Sequence, residues 1–339
     1  MESHRTGGII LDPDFRKTLN DLRSSNISLP ATGSRGGADF PGMSFPSSGE
    51  LQQELPNIRK VRLDSLAGKK LYSTLRPMQA YDESILTYEA LEGTAVMTAH
   101  SLIELEESDY SPTMRVTLRF YSKAKDVSNG ASALVYADDP SAESKRDYAR
   151  DRNSFILDNV KANSIVFIDG PLLGGQMSQQ TVQLNDRLLD RGIVPIFLVK
   201  NSNSDLVRDR FPVLQEKFNS DMHWAYTFLS VGERTNELLY QDTYNTGFGK
   251  VFFYLKAFNL SPLRVEVHKK TFERFGDMVL NCLDCIYFAI LAQGDLRNPQ
   301  IRPVAIAEKY AREAVKFLDA NSLMKSSSLI PTMNQVRFR

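Results

Sequence analysis

Asp169 is the acidic residue whose surroundings are most typical of a chemical site. It ends the apolar segment SIVFIDG and is followed by Gly170. A short, continuously apolar segment predicts a buried parallel strand, and open α/β sheets bind ligands at the carboxyl ends of such strands. Because Asp-Gly after a strand is also common in turns, the chemical interpretation depends on other acidic residues that converge on the same point.

Carboxylates elsewhere in the sequence could complete such a site. Glu92 ends the first predicted strand, in YEALEGT. Asp151 lies on a charged helix just before the Asp169 strand, with Asp147 and Glu143 one and two turns earlier on a similar face. Converging carboxylates repel one another unless a divalent cation neutralises them, and oxygen ligands suit Mg²⁺ or Mn²⁺. We therefore predict a metal site with the ligands Asp169, Glu92, Asp151 and Glu143.

A divalent cation held in this way would suit phosphodiester hydrolysis, because it polarises a phosphoryl oxygen, readies a water molecule and stabilises the leaving oxyanion. Lys200 ends the next apolar strand, GIVPIFLVK, and could balance the charge of a phosphate beside the metal. Two alternatives stay open. Lys200 could be a simple surface residue, and the helix acids could form a solvated face paired with the lysine and arginines around them.

The composition is that of an ordinary globular protein, with 42% of the 339 residues hydrophobic and 24% charged. Two cysteines and four histidines leave little material for a disulfide scaffold or a zinc cluster. The N-terminus lacks the pattern of a signal peptide, and we predict a cytoplasmic protein with no membrane segment. Lysine plus arginine equals aspartate plus glutamate at 41 each, so a local groove or a partner must supply any attraction for DNA.

The order of the predicted elements defines the fold class. Three early strands (ILTYEALEG, MRVTLRFYSKA and SALVYA) suggest an antiparallel meander, and helices near 142–160 and 179–191 alternate with SIVFIDG and GIVPIFLVK. A helix near 205–218 is followed by the predicted strands WAYTFLSV, KVFFYLKAF and PLRVEVHK and by helices near 275–293 and 303–318. This order predicts an α/β protein with a ribonuclease H-like mixed sheet flanked by helices.

The predicted domain boundary lies near residue 55. Residues 1–55 hold one short amphipathic helix around Asp14–Leu22 and a stretch rich in glycine, proline and serine. This composition predicts a partly flexible N-terminal extension and linker that lies outside the core. Residues 56–339 are predicted to form the main domain.

The segments around Asp169 and Lys200 resemble the NurA nuclease family. That family has an Asp-Gly-Ser at the end of its first strand, an acidic residue on a helix, a second Asp-Gly motif, a strand that ends in lysine and a Tyr-Pro…His segment. SIVFIDGPLLGG is similar to the second Asp-Gly motif, and IVPIFLVKNSNSDL is similar to the strand that ends in lysine. PLRVEVHKK and NPQIRPVAIAEKYAREAV resemble the closing strand and helix, so the resemblance covers roughly residues 86–318.

The sequence departs from the family pattern at Glu92, Thr94, Asp151, Arg302 and Tyr310, with Arg302 at the family's tyrosine position. Glu-Gly-Thr at 92–94 stands where the family has Asp-Gly-Ser, and Asp151 stands where the helix usually carries glutamate. Alignment of Pro303 with the family's proline places Tyr310 at the histidine position, where a phenol cannot titrate near neutral pH as an imidazole does. His268, from the neighbouring strand, could substitute for that imidazole or could be a structural histidine.

The resemblance implies a DNA nuclease that depends on Mn²⁺ or Mg²⁺, forms a homodimer and works with a HerA-type hexameric ATPase that drives DNA into it. The residues it implies as catalytic are Asp169, Glu92, Asp151, Lys200, Tyr310 and His268. Two other functions stay open. One is a catalytically weakened NurA-like adaptor, which the substitutions at 92 and 310 favour, and the other is a ribonuclease H-like enzyme that acts on RNA.

Overall fold

The computed structural model describes a mixed α/β protein over residues 9–25, 49–72, 74, 77–106, 109–125, 127, 133–173, 177–200, 205–243, 245, 247–293, 296 and 299–332. The contacts between residues divide the chain into two compact units. The first unit combines the described residues within Met1–Pro41, Tyr81–Asn159 and Ile306–Arg339, and the second combines those within Gly42–Ala80 and Val160–Ala305.

Strands and helices alternate along the described part of the chain. The strands are β1 Ile9–Leu11, β2 Gly49–Leu51, β3 Lys60–Arg62, β4 Met78–Glu89, β5 Thr94–Glu106, β6 Asp109–Ser122, β7 Leu134–Tyr136, β8 Ile165–Asp169, β9 Val194–Val199, β10 Glu233–Thr235, β11 Leu238–Asp242, β12 Gly249–Lys256 and β13 Leu263–His268. The α-helices are α1 Phe15–Ser24, α2 Ser65–Tyr72, α3 Pro140–Asn159, α4 Ser178–Asp190, α5 Pro212–Gln215, α6 Asp221–Phe228, α7 Lys269–Gln293, α8 Arg302–Phe317 and α9 Ala320–Lys325.

The first unit is organised around β6. This strand pairs antiparallel with β5 along its whole length and parallel with β1 and β7 at separate positions, and β4 lies beyond β5. Successive side chains of a strand point to opposite faces, so Val116, Leu118 and Phe120 enter the apolar core, whereas Arg115 and Arg119 contact α3 on the other face. β6 therefore packs into the apolar core on one face and contacts α3 through its arginines on the other.

The apolar core of the first unit includes residues predicted to lie outside it. Phe15, Leu19 and Leu22 of α1 are buried and pack in the same cluster as residues of β6 and α8. The prediction that this N-terminal helix lies outside the core was wrong, because its apolar stripe recurs at helical spacing and has a sheet face to cover. The domain boundary at residue 55 stays a prediction.

The second unit contains the strand that ends in Asp169. β8 pairs parallel with β9, β9 pairs antiparallel with β13, and the order continues through β12 and β10 to β3. The chain just before β4 lies beside β8, where the Pro77 carbonyl accepts a hydrogen bond of 2.9 Å from the Ile165 N–H. β9 is buried along its length, and so is β8 up to Asp169. The predicted α/β class with a mixed sheet and flanking helices is confirmed. The predicted antiparallel meander was wrong in its third strand, because SALVYA contains β7, which pairs parallel with β6.

Two predicted elements of the second unit were wrong. WAYTFLSV is not a strand, because most of it forms α6. The Ser220 hydroxyl caps this helix by accepting a hydrogen bond from the His223 N–H, and Trp224 and Ala225 are buried on one side. The helix predicted near 205–218 is only a 3-10 turn, Arg208–Arg210, followed by the single turn α5. Capping and core packing outweigh the strand propensity of the aromatic residues.

Among the described helices, α7 alone is long and apolar enough to cross a membrane. It contacts α2, β9, β12 and β13 of its own unit, and Val279, Cys282 and Leu283 are buried there. A core helix of this kind passes the same test of length and composition, so one such helix is weak evidence for a membrane span. The predicted absence of a membrane segment stays a prediction.

The carboxylate of Asp221 is buried at the start of α6 and holds the preceding loop. It accepts hydrogen bonds from the N–H groups of Val207 and Arg208, at 2.8 to 3.1 Å, and from the Tyr254 hydroxyl at 2.9 Å. Burial raises the pKa of Asp221 to about 6, although these hydrogen bonds act in the opposite direction. The folded protein therefore binds a proton at Asp221 more tightly than the unfolded chain does.

The raised pKa of Asp221 predicts a specific pH dependence of stability. Between about pH 4 and pH 6 the folded state holds the proton that the unfolded chain has released, so the free energy of unfolding falls as the pH rises, by roughly 3 kcal/mol from this group. Asp221→Asn removes this contribution. Urea denaturation of both proteins across that range should show the wild type losing stability relative to the variant, and parallel profiles would contradict the assignment.

Candidate functional site

Asp169 and Lys200 meet at one edge of the second unit. β8 and β9 are parallel, with Asp169 opposite Leu198, so both strands end on the same side of the sheet. Lys200 follows β9 directly, and its Nζ lies 2.8 Å from Asp169 Oδ2. The side chains are 27% and 22% exposed, so the pair is accessible to solvent. This is the part of an α/β sheet where ligands bind, as the sequence predicts.

Gly170 allows the chain to turn immediately after Asp169. Its φ is +100°, a value that residues with a Cβ rarely adopt, and its N–H donates a 2.9 Å hydrogen bond to the Leu198 carbonyl. A Cβ at this position would meet no atom within 4 Å, so the requirement for glycine is conformational rather than steric. The turn leaves the Asp169 carboxylate at the end of its strand.

A buried ion network supports the loop that follows Asp169. Glu266 of β13 accepts a 2.9 Å hydrogen bond from the Leu172 N–H through Oε2. Its other oxygen lies 2.6 Å from Lys250 Nζ and 2.8 Å from Arg264 Nε, and all three charged side chains are buried. Burial alone raises the pKa of Glu266, but Lys250 and then Arg264 reverse the effect and hold it below its usual value. The carboxylate therefore stays ionised and fixes the loop.

In the first unit, Asp151 of α3 is paired with the sheet. Arg119 of β6 contacts both of its carboxylate oxygens, with Nη2 2.9 Å from Oδ1, and Arg115 Nη2 donates a 2.6 Å hydrogen bond to the Asp151 carbonyl. Burial lowers the pKa of Arg119, but the hydrogen bond and the charge of Asp151 outweigh burial and raise it. The sequence did not predict this pairing, because Arg119 lies 32 residues from Asp151.

The other acids of α3 are also engaged. Asp147 accepts hydrogen bonds from the Tyr121 hydroxyl at 3.0 Å and from Arg150 at 2.6 Å. Glu143 forms an ion pair of 2.8 Å with Arg146. Both pairs join residues one turn apart, as in the alternative of a salt-bridged face, but Asp147 is buried, so this face is not fully solvated. Burial, and then the charge of Asp147, raise the pKa of Tyr121.

Glu92 lies in the tight turn between β4 and β5. Ala90 and Gly93 exchange backbone hydrogen bonds there, of 2.8 and 3.3 Å. The Glu92 side chain is only 4% exposed, and its two carboxylate oxygens accept the Ile330 N–H at 3.2 and 3.0 Å. Within the first unit, Glu92 therefore anchors the segment around Ile330. Its role as a metal ligand stays a prediction.

Oxygen ligands at Asp169 are chemically suited to Mg²⁺ or Mn²⁺. Within the described residues, no group of three or more acidic, histidine or cysteine side chains is close enough to hold a metal ion. Mg²⁺ keeps several water ligands and is commonly held by one or two carboxylates together with the phosphates of its substrate. The Asp169 carboxylate at an accessible strand end fits that mode of binding, whereas a cage formed by protein alone does not fit the described residues.

Comparison with protein families gives one match over a large part of the chain. A family model described as the NurA domain matches residues 91–312, well over half of the sequence. The chain belongs to the NurA family. The match contains Asp169, Lys200 and the whole of α3, and it makes this a protein of a nuclease family. A search of curated proteins finds no match.

Three solved structures are similar to this NurA-family chain. The NurA nuclease from Sulfolobus solfataricus is 11% identical, with 75% of this chain and 86% of that chain covered and a TM-score of 0.46. Endonuclease V of Bacillus subtilis is 8% identical, with coverages of 74% and 85% and a TM-score of 0.36. A NurA solved with manganese is 8% identical, with coverages of 74% and 92% and a TM-score of 0.27. All three TM-scores are below 0.5.

Asp82 is an acidic residue that the sequence analysis did not consider as a ligand. It lies within β4 and outside the family match, which begins at residue 91. Asp82 is 6% exposed, and its Oδ1 accepts a 2.8 Å hydrogen bond from the Glu83 N–H.

The residues predicted at the NurA histidine position have different surroundings. Tyr310 lies on α8 and is 38% exposed. His268 is 1% exposed, its Nε2 lies 2.9 Å from the Gly247 carbonyl and its Nδ1 lies 3.2 Å from the Lys270 N–H. Burial lowers the pKa of His268, so the imidazole is neutral with the proton on Nε2. Both ring nitrogens contact backbone groups, and catalysis by either residue stays a prediction.

Proposed function

We propose that this NurA-family protein is a metal-dependent deoxyribonuclease whose chemistry takes place at Asp169. One observation carries the proposal: the family match contains a carboxylate at the carboxyl end of a buried parallel strand, 2.8 Å from a lysine amine. A carboxylate and an amine together at such an edge suit a phosphodiester substrate, because the carboxylate can hold a cation and the amine can contact a phosphate oxygen.

In this proposal, Asp169, Lys200 and Glu266 have different roles. Asp169 holds Mn²⁺ or Mg²⁺, and the bound cation supplies polarisation of the phosphoryl oxygen and a nucleophilic water. Lys200 neutralises Asp169 before substrate binds and contacts the phosphate afterwards. Glu266, through the Leu172 N–H, keeps the loop after Asp169 in place. The second carboxylate is proposed from the sequence, with Glu92, Asp151 and Glu143 as its candidates.

The balanced net charge of the chain is one reason to propose partner proteins. Lysine plus arginine and aspartate plus glutamate are equal in number, so the whole chain does not attract DNA as a basic protein does. We propose that a HerA-type hexameric ATPase delivers the DNA and that the protein acts as a homodimer. Both statements rest on the family resemblance, and loading by a motor would explain how a neutral protein obtains its substrate.

The direct test of this function is cleavage of end-labelled DNA by the purified chain. Single- and double-stranded substrates are incubated with Mn²⁺, with Mg²⁺ or with EDTA, alone and together with a HerA-type ATPase. We expect cleavage only when a divalent cation is present, and more of it with the ATPase. Equal cleavage in EDTA would overturn the metal requirement, and the absence of cleavage under every condition would overturn the nuclease assignment.

A NurA-like adaptor without efficient cleavage is the second candidate. It is favoured by Tyr310 at the family's histidine position and by the engagement of both Glu92 oxygens with the Ile330 N–H. An adaptor should bind DNA and the ATPase in the same way whether or not Asp169 carries a charge. Unchanged binding together with inert wild-type protein would therefore select this function.

The identity of the second carboxylate gives a separate prediction. Asp151→Asn should lower metal-dependent cleavage on the order of 100-fold, because it removes a charged oxygen ligand while keeping the size of the side chain. Glu92→Gln is the matched variant, and it should retain most of the activity because an amide oxygen still accepts from the Ile330 N–H. Initial rates with Mn²⁺ decide between them, and the reverse order would assign the ligand to Glu92 and exclude Asp151.

A further inference from the structure

Next to Lys200, the second unit contains a cavity of about 320 Å³ that its ion pair with Asp169 does not use. Its wall is formed mainly by the segment between β12 and β13, including Phe258 and Leu260, and by Leu296 and Gln300, which follow α7 in the sequence. This volume is at the lower end of the range for small-ligand pockets. It suits one flat ring system better than a larger ligand.

The lining of this cavity combines apolar and polar groups. Leu260 is 38% exposed and Leu296 is 59% exposed, so both present apolar surface to solvent at the cavity. Phe258 adds a half-buried aromatic ring, and Gln300 adds an amide that is 2% exposed. A nucleobase needs such surroundings, with apolar faces to stack against and an amide for its hydrogen-bonding edge.

Lys200 connects the cavity to the proposed catalytic site. Its amine lies 2.8 Å from Asp169, and the residue also forms part of the cavity wall. A nucleotide has two parts that correspond to the amine and the cavity: an anionic phosphate and a flat apolar base, joined through a sugar. A phosphate at Lys200 would therefore have its base within reach of the cavity. Charge complementarity at one end and an apolar wall at the other favour this occupant over a lipid or a metal.

We propose that the cavity beside Lys200 binds one unstacked nucleobase of a single DNA strand whose phosphate is contacted by the Lys200 amine. The proposal rests on the nuclease function and specifies the state of the substrate. The strand is bound with one base unstacked, as at a frayed end or in single-stranded DNA. A duplex enters this site only after its end has opened. Blunt double-stranded ends should therefore react more slowly than ends with a single-stranded overhang.

The test is a binding scan that requires no cleavage. The full-length protein is titrated in EDTA against fluorescent single strands of about ten nucleotides, in which one abasic residue is moved stepwise along the strand. We expect one position at which loss of the base weakens binding on the order of tenfold, the scale of stacking between a base and an aromatic ring. A strand with 2-aminopurine at that position should lose fluorescence on binding, because the base stacks on Phe258.

Variants of the wall complete the test. Phe258→Ala and Leu296→Ala should remove the preference for a base at that one position and leave binding of the abasic strand unchanged. Leu66→Ala is the matched control, because Leu66 is an exposed leucine of the same unit that does not line the cavity, at 78% exposure. Thermal unfolding of each variant shows whether the fold is retained.

The outcomes separate this proposal from the nuclease function. A position-specific base preference that disappears in Phe258→Ala supports the pocket, even in a protein that never cleaves DNA. Normal metal-dependent cleavage with equal affinity for intact and abasic strands overturns the pocket and leaves the nuclease function standing. Variants that change self-association or binding of the ATPase but not the base preference assign the cavity to a protein partner and also overturn the proposal.

Discussion

Replacing Asp169 by asparagine is expected to reduce metal-dependent cleavage of DNA on the order of 1,000-fold. The substitution keeps the shape of the side chain but removes the negative charge that holds the cation, and a bound metal contributes several kcal/mol to stabilisation of the transition state. Stability should change little, because the ion pair with Lys200 is partly exposed and such pairs contribute about 0 to 1 kcal/mol. Initial rates on end-labelled DNA with Mn²⁺ or Mg²⁺ measure the effect.

The matched control for this variant is Asp186→Asn. Asp186 belongs to α4 of the same unit and also forms an ion pair of 2.8 Å, with Lys270, but it does not lie at the end of a strand. The Asp186→Asn protein should cleave DNA at the rate of the wild type. Asp169→Asn protein that is folded and as active as the wild type would remove Asp169 from the chemistry, and equal losses in both variants would point to a general effect of charge.

The second large effect is on stability, from Glu266→Gln. The change leaves Lys250 and Arg264 buried without their counter-charge, and breaking a buried ion pair from one side costs about 3 to 5 kcal/mol of unfolding free energy. It also weakens the hydrogen bond that holds the Leu172 N–H and thus the loop after Asp169. Urea denaturation should show the loss directly.

A double variant distinguishes this charge effect from simple loss of packing. Glu266→Gln combined with Lys250→Met removes one of the two uncompensated cations and should recover part of the lost stability. Lys270→Met is the surface control, because its pair with Asp186 is exposed and should be worth less than about 1 kcal/mol. If Lys250→Met lowers the free energy of unfolding as much in Glu266→Gln protein as it does in the wild type, the buried network as described is contradicted.

These two predictions concern the same short region. Asp169 supplies the reactive carboxylate, Gly170 turns the chain, and two residues later the Leu172 N–H is held from β13. A rigid loop after the strand keeps the carboxylate in one orientation, as a site that must bind a cation and a phosphate requires. Glu266→Gln protein that remains folded is therefore expected to cleave more slowly as well.

The sequence by itself determined the strands around the site. The apolar segments that became β8 and β9 are buried in the core, and this composition is typical of parallel strands covered on both faces. From that one inference, Asp169 and Lys200 were expected at the same edge of the sheet, and the 2.8 Å ion pair places them there. The motif order also identified the family, because motif residues and their spacing are local properties of the chain.

Only the tertiary structure decided which partners the other charged residues have. Asp151 meets Arg119 of β6, Glu92 meets the Ile330 N–H, and α1 enters the core, in each case through residues that are far apart in the sequence. α6 forms instead of a predicted strand because a serine cap and burial of Trp224 outweigh local propensity. Local patterns fix the type of an element when its burial is uniform, whereas the partner of a side chain depends on contacts that exist only after the chain has packed.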